Sequence, residues 1–135
     1  MDKALRYLAL GRKSGSVVLG EDRCCEAAGE GRMKLLLLPA DAGEHTERRA
    51  GRALEGRRAL LRRLPWKREE LSALLGGGCA MVGFTDAGLA AVFAQSMMES
   101  DSDWEETASL LQYRRDRALR RKAAPRKHKN GERGG

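Results

Sequence analysis

The hydrophobic positions of this chain alternate between short continuous runs and stretches at helical spacing. The run from Met33 to Leu38 is continuous and ends at Pro39, which predicts a central strand covered on both faces. Leu71, Leu74 and Leu75 recur at helical spacing before three glycines. In chain order we predict helix 2–10 ended by Gly11, strand 17–18, helix 21–29, strand 33–38, helix 44–55, strand 59–64, a helix from Pro65 through Leu75 ended by Gly76–Gly78, strand 79–84, and a helix capped by Asp86.

This alternation of helices and strands predicts an α/β protein with a small four-stranded sheet between helices. Within helix 44–55 we expect Ala50, Ala53 and Leu54 to face inward and the arginines to face outward. A change in composition near Met97 suggests a body over 1–97 and an extension over 98–135, in which acidic residues come first and basic residues follow from Arg114.

The extension contains one further predicted element, a helix over 103–122 that begins at Asp103 with acidic residues in its first turn. Its apolar stripe is thin, so the helix either docks weakly on the body or forms when a partner binds. The stripe consists of Trp104, Ala108, Leu111 and Ala118. Beyond Ala124 we expect disorder.

Composition and charge narrow the function. The 135 residues include 26 Lys and Arg against 19 Asp and Glu, a net charge of +7, which favours a polyanionic partner and makes nucleic acid the first candidate. Only 4% of the residues are aromatic, so the chain has few rings on which the bases of a nucleic acid could stack. No apolar stretch is long enough to cross a membrane, and the first residues alternate acid and base, so we expect no membrane association and no secretory signal.

Candidate catalytic and metal-binding groups are sparse. The three cysteines, Cys24, Cys25 and Cys79, lack a C-x-x-C spacing, and only two histidines are present, which predicts a reducing cytoplasm and no structural zinc. Gly76–Gly78 lacks the Lys-Ser/Thr of a P-loop. Because no acid–base or nucleophilic constellation is visible, we expect no enzyme, no catalytic residue, no metal, no cofactor and no small-molecule substrate.

Several segments in fixed order resemble one known family over about residues 2–97. They are Leu8–Gly15 (LALGRKSG), Val17–Asp22 (VVLGED), Ala27-Ala28, Gly31, Met33–Leu38 (MKLLLL) with Ala40-Asp41-Ala42, Thr46, and Val82–Leu89 (VGFTDAGL). This set resembles the ribosomal protein L7Ae/L30e family, especially its short bacterial members of YlxQ type. The resemblance implies a three-layer α/β/α sandwich with a four-stranded mixed sheet, L30e-like, followed here by a basic C-terminal tail.

In L7Ae-type proteins the turn G-x-N-E-x-x-K into the second helix contacts the sheared G·A pairs of an RNA kink-turn. Aligned on Gly20, this chain has Asp22 in place of the Asn, Arg23 in place of the Glu and Glu26 in place of the Lys. Asp22 accepts a hydrogen bond but cannot donate one as an amide does, and Glu26 repels phosphate. YlxQ-type members share the G-E-D/E form, so the departure bears on kink-turn recognition rather than on the resemblance.

The resemblance implies a second RNA contact in the loop before the last strand, where this chain has three glycines. These glycines either let an RNA backbone approach closely or form a helix end and a tight turn. Arg12 and Lys13 either contact phosphates or lie in a solvated loop. The candidate RNA-binding residues are Arg12, Lys13, Gly20, Glu21, Asp22, Arg23, Asp41, Gly77 and Gly78.

Two basic stretches lie outside this set. The first is either a solvated face or a second RNA-backbone surface, and the second is either an RNA anchor or a solubilising extension. The first stretch comprises Arg48, Arg49, Arg52, Arg57, Arg58, Arg62 and Arg63. The second comprises Arg114, Arg115, Arg117, Arg120, Arg121, Lys122, Arg126, Lys127, His128 and Lys129.

Two function hypotheses follow. The first is a cytoplasmic, monomeric, non-enzymatic module that binds structured RNA, either kink-turn-like or ribosomal, within a ribosome or another ribonucleoprotein. The second is a protein-interaction subunit on the same fold that has lost specific RNA recognition and docks through helix 103–122. The first depends on Gly20, Asp22 and Arg23, and the second on Trp104 and Leu111.

Overall fold

The computed structural model describes residues 2–123 as six α-helices and four β-strands. The elements in chain order are α1 Lys3–Ser14, β1 Val17–Leu19, α2 Glu21–Gly29, β2 Leu35–Leu38, α3 Glu44–Ala53, β3 Leu60–Arg63, α4 Arg68–Leu75, β4 Val82–Phe84, α5 Ala87–Ser100, a short 3-10 turn Ser102–Trp104, and α6 Glu105–Ala123. No helix within 2–123 combines the length and the apolar character needed to span a membrane.

The four strands form one mixed sheet in the order β1-β4-β2-β3. Strand β4 pairs antiparallel with both β1 and β2, whereas β2 and β3 run parallel with Leu35 opposite Leu60. All four leucines of β2 are buried, as expected for an inner strand with both faces covered. The run from Met33 to Leu38, apolar except for Lys34, therefore marks an inner strand as predicted, although regular pairing begins at Leu35.

Two hydrophobic cores lie on opposite faces of this sheet. Leu35 and Leu37 face the core built with α1, α4, α5 and α6, whereas Leu36 and Leu38 face a smaller core built with α2 and α3. The alternation follows from the period of two in a strand, since successive side chains point to opposite faces. The fold is therefore a three-layer α/β/α sandwich with a four-stranded mixed sheet, as the sequence and its resemblance predicted.

Helix α1 is longer than its sequence pattern indicated. We expected Gly11 to end it, but the helix continues to Ser14 and is capped by Gly15 in the left-handed conformation, φ 84°. Gly11 is buried inside the helix, where a Cβ atom would collide with the side chains of Val17 and Leu89. This glycine thus permits close packing of the helix rather than terminating it.

The division expected at Met97 falls inside α5, and the core extends past it. Trp104 is 1% exposed and packs edge-on against Phe93, with ring centroids 5.9 Å apart. Ala108 and Leu111 of α6 are also buried, so the stripe is docked on α5 without a partner. The local cap is Asp101, whose side chain accepts from the amide of Asp103, rather than Asp103 itself.

Two expectations concern residues outside the described range. They are the disorder beyond Ala124 and the basic cluster at 126–129.

Trp104 should be a main determinant of stability, because its ring fills the space between α5 and α6. We expect Trp104→Ala to lower the free energy of unfolding by about 3–5 kcal/mol, as for other large buried aromatic residues. Urea denaturation of the full chain measures this change. The control is Leu119→Ala on α6, the helix that follows the turn of Trp104, since Leu119 is 54% exposed and should change stability by about 0.5 kcal/mol or less. Equal effects of both substitutions would contradict the docked position of Trp104.

Candidate nucleic-acid interface

Three chain segments meet at the end of the sheet where β1 ends and β4 begins. The amide of Gly20 donates to the Met81 carbonyl at 2.8 Å, and a Cβ built on Gly20 would lie 3.6 Å from the Gly78 carbonyl oxygen. The Nε atom of Arg12 donates to the Leu75 carbonyl at 3.3 Å, which ties α1 to the start of the glycine segment. We call this surface the glycine edge and define it as Arg12, Lys13, Gly20–Arg23 and Gly76–Gly78.

Gly20 begins α2 with φ at 98°, a conformation that residues with a Cβ rarely adopt. No side chain caps the first turn of this nine-residue helix. The backbone amides at the start of a helix have no partner within the helix and carry the positive end of its dipole. The turn therefore presents hydrogen-bond donors to any acceptor that approaches the glycine edge.

The two acidic side chains of this turn are held by one arginine of α3. Arg49 donates to Glu21 Oε1 and to Asp22 Oδ1, each at 2.8 Å, and the Thr46 hydroxyl donates to the other Glu21 oxygen at 3.0 Å. The hydrogen bond from Arg49 is the main cause that lowers the pKa of Glu21, and burial partly opposes it. The same carboxylates raise the pKa of Arg49.

This arrangement separates the roles of the two acids. Glu21 is half-buried and engaged at both oxygens, so it fixes α2 against α3. Asp22 has its side chain 94% exposed and keeps acceptor capacity toward solvent while Arg49 holds it in place. Arg49 also offsets part of the negative charge of the turn.

Sequence reasoning missed Arg49, which it placed on an outward face of α3. The side chain lies instead against α2, where the two helices pack over the smaller core. The only signal in the sequence was its position in α3 three residues after Thr46, because residues three apart share a helix face.

The three glycines form an exposed backbone segment after α4. Their φ values are 101°, 95° and 71°, all in the region that favours glycine. A Cβ built on Gly76 or Gly77 would meet nothing within 4 Å, so this backbone faces open space. Gly76 also ends α4, as the helix-end interpretation predicted. The segment thus serves as a helix end, since the amides of Gly76 and Gly77 both donate to the Ser72 carbonyl, and Gly76 and Gly78 are exposed.

Basic side chains flank the turn. Lys13 and Arg23 are exposed, and neither forms an ion pair with a carboxylate among residues 2–123. Arg12 is also exposed but is anchored through Leu75. Glu26 is exposed one turn further along α2. The glycine edge therefore joins fixed amide donors to three cations, with two acids, Asp22 and Glu26, facing solvent.

Asp41 has a structural role at this end of the sheet. Its Oδ1 atom accepts the backbone amide of Arg68 at 2.9 Å and so satisfies the start of α4. Asp41 and Thr46 also line a shallow cavity of about 150 Å³. The predicted binding role of Asp41 therefore competes with a hydrogen bond that the fold itself uses.

The arginine stretch over 48–63 does not form one surface. Arg62 stacks on Trp104 at 4.5 Å from the ring centroid, and Arg63 donates to three carbonyls of the loop after β2 and pairs with Glu47. Arg57 and Arg58 lie at the opposite end of the sheet, before β3. Three of the seven arginines, Arg57, Arg62 and Arg63, therefore bind the protein's own backbone or rings, which neither earlier interpretation anticipated.

The cysteines and acids offer no metal site within 2–123. No group of three or more His, Cys, Asp or Glu side chains is suitably placed in that part of the chain. The three cysteines are free, and burial raises the pKa of the Cys24 thiol to about 12. That thiol is therefore protonated and packs in the smaller core.

Comparison with solved structures shows what this fold is similar to. A protein of unknown function from Bacillus halodurans superposes with a TM-score of 0.64 at 24% identity, covering 71% of this chain and 97% of that one. A 15.5 kD RNA-binding protein from Giardia lamblia superposes with a TM-score of 0.57 at 14% identity, covering 73% of this chain and 84% of that one. No family model and no curated protein matches the sequence. The likeness at these identities is one of fold, the three-layer α/β/α sandwich.

The contact between Arg49 and Glu21 predicts a pH-dependent contribution to stability. Because the pKa of Glu21 is lowered on folding, the contribution is present above the pKa of the unfolded state and is lost as pH falls through the folded pKa. Arg49→Gln should raise the pKa of Glu21 in a carboxyl NMR titration and destabilise the protein near pH 7 more than at acid pH.

Arg48→Gln is the matched control, because Arg48 is exposed and, among residues 2–123, pairs only with Glu44 at 3.5 Å. It should leave the pKa of Glu21 unchanged. An unaltered Glu21 titration in the Arg49→Gln protein would contradict the contact.

Proposed function

We propose that this protein is a non-enzymatic RNA-binding module that recognises structured RNA, kink-turn-like or ribosomal, through the glycine edge. In this proposal it is a monomeric bacterial protein of YlxQ type that acts in the cytoplasm, with ribosomal or other translation-related ribonucleoprotein as its setting. The observation that carries the proposal is the uncapped start of α2 at Gly20, flanked by exposed cations and by an open glycine backbone. The RNA-binding fold neighbour from Giardia lamblia supports it.

The chemistry of each part fits a bent RNA. The amides of the first α2 turn donate to phosphate or base acceptors, and Arg12, Lys13 and Arg23 neutralise nearby phosphates. Asp22 accepts from the exocyclic amino group of a guanine, cytosine or adenine, in the orientation that Arg49 gives it. Gly77 admits the RNA backbone because a Cβ atom built on it would meet nothing within 4 Å, and Gly78 is exposed beside it.

The two residues on which the protein-interaction hypothesis depends are buried within this chain. It depended on Trp104 and Leu111 being available to a partner, whereas both are buried in the larger core of this chain. Substituting them would report on stability rather than on partner binding. RNA recognition is therefore the function that the exposed residues support best.

Removing two exposed cations from the glycine edge should weaken RNA binding. We expect Lys13→Gln/Arg23→Gln in the full chain to bind a kink-turn RNA more weakly and to lower the salt slope of log K by about 1.5, at about 0.7–0.9 per phosphate contact. A titration series against a kink-turn RNA and a straight duplex of equal length measures both quantities. The full chain is required because the core extends to Leu111.

The matched control is Arg120→Gln/Lys122→Gln, which removes the same charge from exposed positions of α6. If the control loses as much affinity as Lys13→Gln/Arg23→Gln, binding depends on net charge alone. If wild-type protein does not prefer the kink-turn RNA over the duplex, the proposed recognition through Gly20 is wrong.

Glu26 should limit the affinity of the glycine edge. Its exposed carboxylate lies one turn from Asp22, so it repels a phosphate bound at the start of α2. Glu26→Lys should increase affinity for the kink-turn RNA and raise the salt slope by up to about 0.9, and Glu26→Gln should give a smaller gain. Equal affinity of all three proteins would indicate that Glu26 does not face the RNA.

A further inference from the structure

A second basic surface lies at the opposite end of the sheet, between α6 and the segment that precedes β3. It encloses a groove of about 480 Å³, within the size range of ligand sites. We call it the arginine groove. Its charged lining residues are Lys34, Arg57, Arg58, Arg114, Arg117 and Arg121.

Six of the lining residues are cations, and no carboxylate is among the described residues that line the groove. None of the six forms an ion pair within residues 2–123. Six other cations of the described chain are ion-paired, namely Lys3, Arg32, Arg48, Arg49, Arg63 and Arg115. Positive charge is therefore concentrated in the groove without local compensation.

Several of these cations are held in place by the protein. Arg57 donates to the Gly29 carbonyl, and Arg114 donates to the Arg58 carbonyl at 2.6 Å. The Nε atom of Arg114 is buried without a partner among the described residues. Burial is the main cause that lowers the pKa of Arg114, and the charge of Arg58 adds to it. An anion in the groove would relieve both effects.

The rest of the lining suits a ribose or a base better than an acidic peptide. Met33 and Leu111 are buried apolar residues of the lining. Tyr113 is 54% exposed beside the groove, and Arg117 donates to its hydroxyl at 3.4 Å. An exposed ring with guanidinium groups around it matches the stacking and bidentate phosphate contacts by which proteins bind RNA strands.

We propose that the arginine groove binds the phosphodiester backbone of a second segment of the RNA that contacts the glycine edge. This inference rests on the proposed function. The groove lies where β2 begins, at Lys34, and the glycine edge lies beyond the end where β2 meets Asp41. At about 3.3 Å per residue, the seven residue steps from Lys34 to Asp41 span at most about 25 Å, and the glycine edge lies beyond Asp41. A compact RNA element would reach one surface, and an RNA with an extended helical arm would reach both.

The test compares two RNAs, a trimmed kink-turn element and the same element with one helical arm extended. Wild-type full-length protein should bind the extended RNA more tightly, with a steeper salt dependence. Arg117→Gln/Arg121→Gln removes two exposed groove cations and should keep affinity for the trimmed RNA. It should lose the gain from the extension, with a salt slope lower by about 1.5.

The matched control is again Arg120→Gln/Lys122→Gln, because these residues are exposed on the same helix but do not line the groove. It should retain the gain from the extended arm. A groove variant that retains the gain, or a control that loses as much, would overturn the inference while leaving recognition at the glycine edge intact.

The same measurements separate the two proposals. If wild-type protein shows no preference for the trimmed kink-turn over a straight duplex, the proposed function fails. A groove variant that then still loses duplex binding relative to the control would show that the groove binds RNA by itself. Polyglutamate and adenosine monophosphate serve as competing probes. If the groove substitutions weaken binding of either probe but not of RNA, the groove is an acidic-peptide or nucleotide site and the inference is wrong.

Discussion

The burial of β2 on both faces is the constraint on which the rest of the structure depends. Its four leucines alternate between two cores, so helices must cover the sheet from both sides. With both faces occupied, the polar chemistry of the chain is left to the two ends of the sheet and to the outer surfaces of the helices. The glycine edge and the arginine groove occupy those two ends, and each is assembled from segments distant in the sequence.

Charge is distributed differently at the two ends. At the glycine edge, Arg49 holds Glu21 and Asp22, so the start of α2 combines amide donors with oriented acceptors. Such a mixture suits the reading of base edges, where donors and acceptors must alternate. The arginine groove has cations alone, which suits phosphates of any sequence. Under the two proposals, the glycine edge specifies the RNA and the arginine groove holds its backbone.

The order of elements could be predicted from the sequence because each strand is a short apolar run and each helix has a periodic face. The end of α1 could not be predicted, because a glycine after an apolar helical pattern usually marks the end of a helix. Gly11 instead makes room for the side chains of Val17 and Leu89, which are distant in the sequence. Trp104 was assigned to the extension because acidic residues surround it in the sequence, and nothing in the sequence indicates its contact with Phe93. Among the candidate site residues, Gly20, Gly78 and Arg12 lie together, whereas the Asp41 carboxylate caps α4.

The contact that sequence reasoning missed also explains how this turn can hold an aspartate where the motif that it resembles has an asparagine. An Asn in place of Asp22 would offer both a donor and an acceptor, whereas the aspartate needs a cation to be held without charge repulsion beside Glu21. Arg49 supplies that cation from α3 and binds both acids at once. Glu21 and Asp22 of the turn and Arg49 of the neighbouring helix therefore form one unit, in which the arginine holds both carboxylates in place.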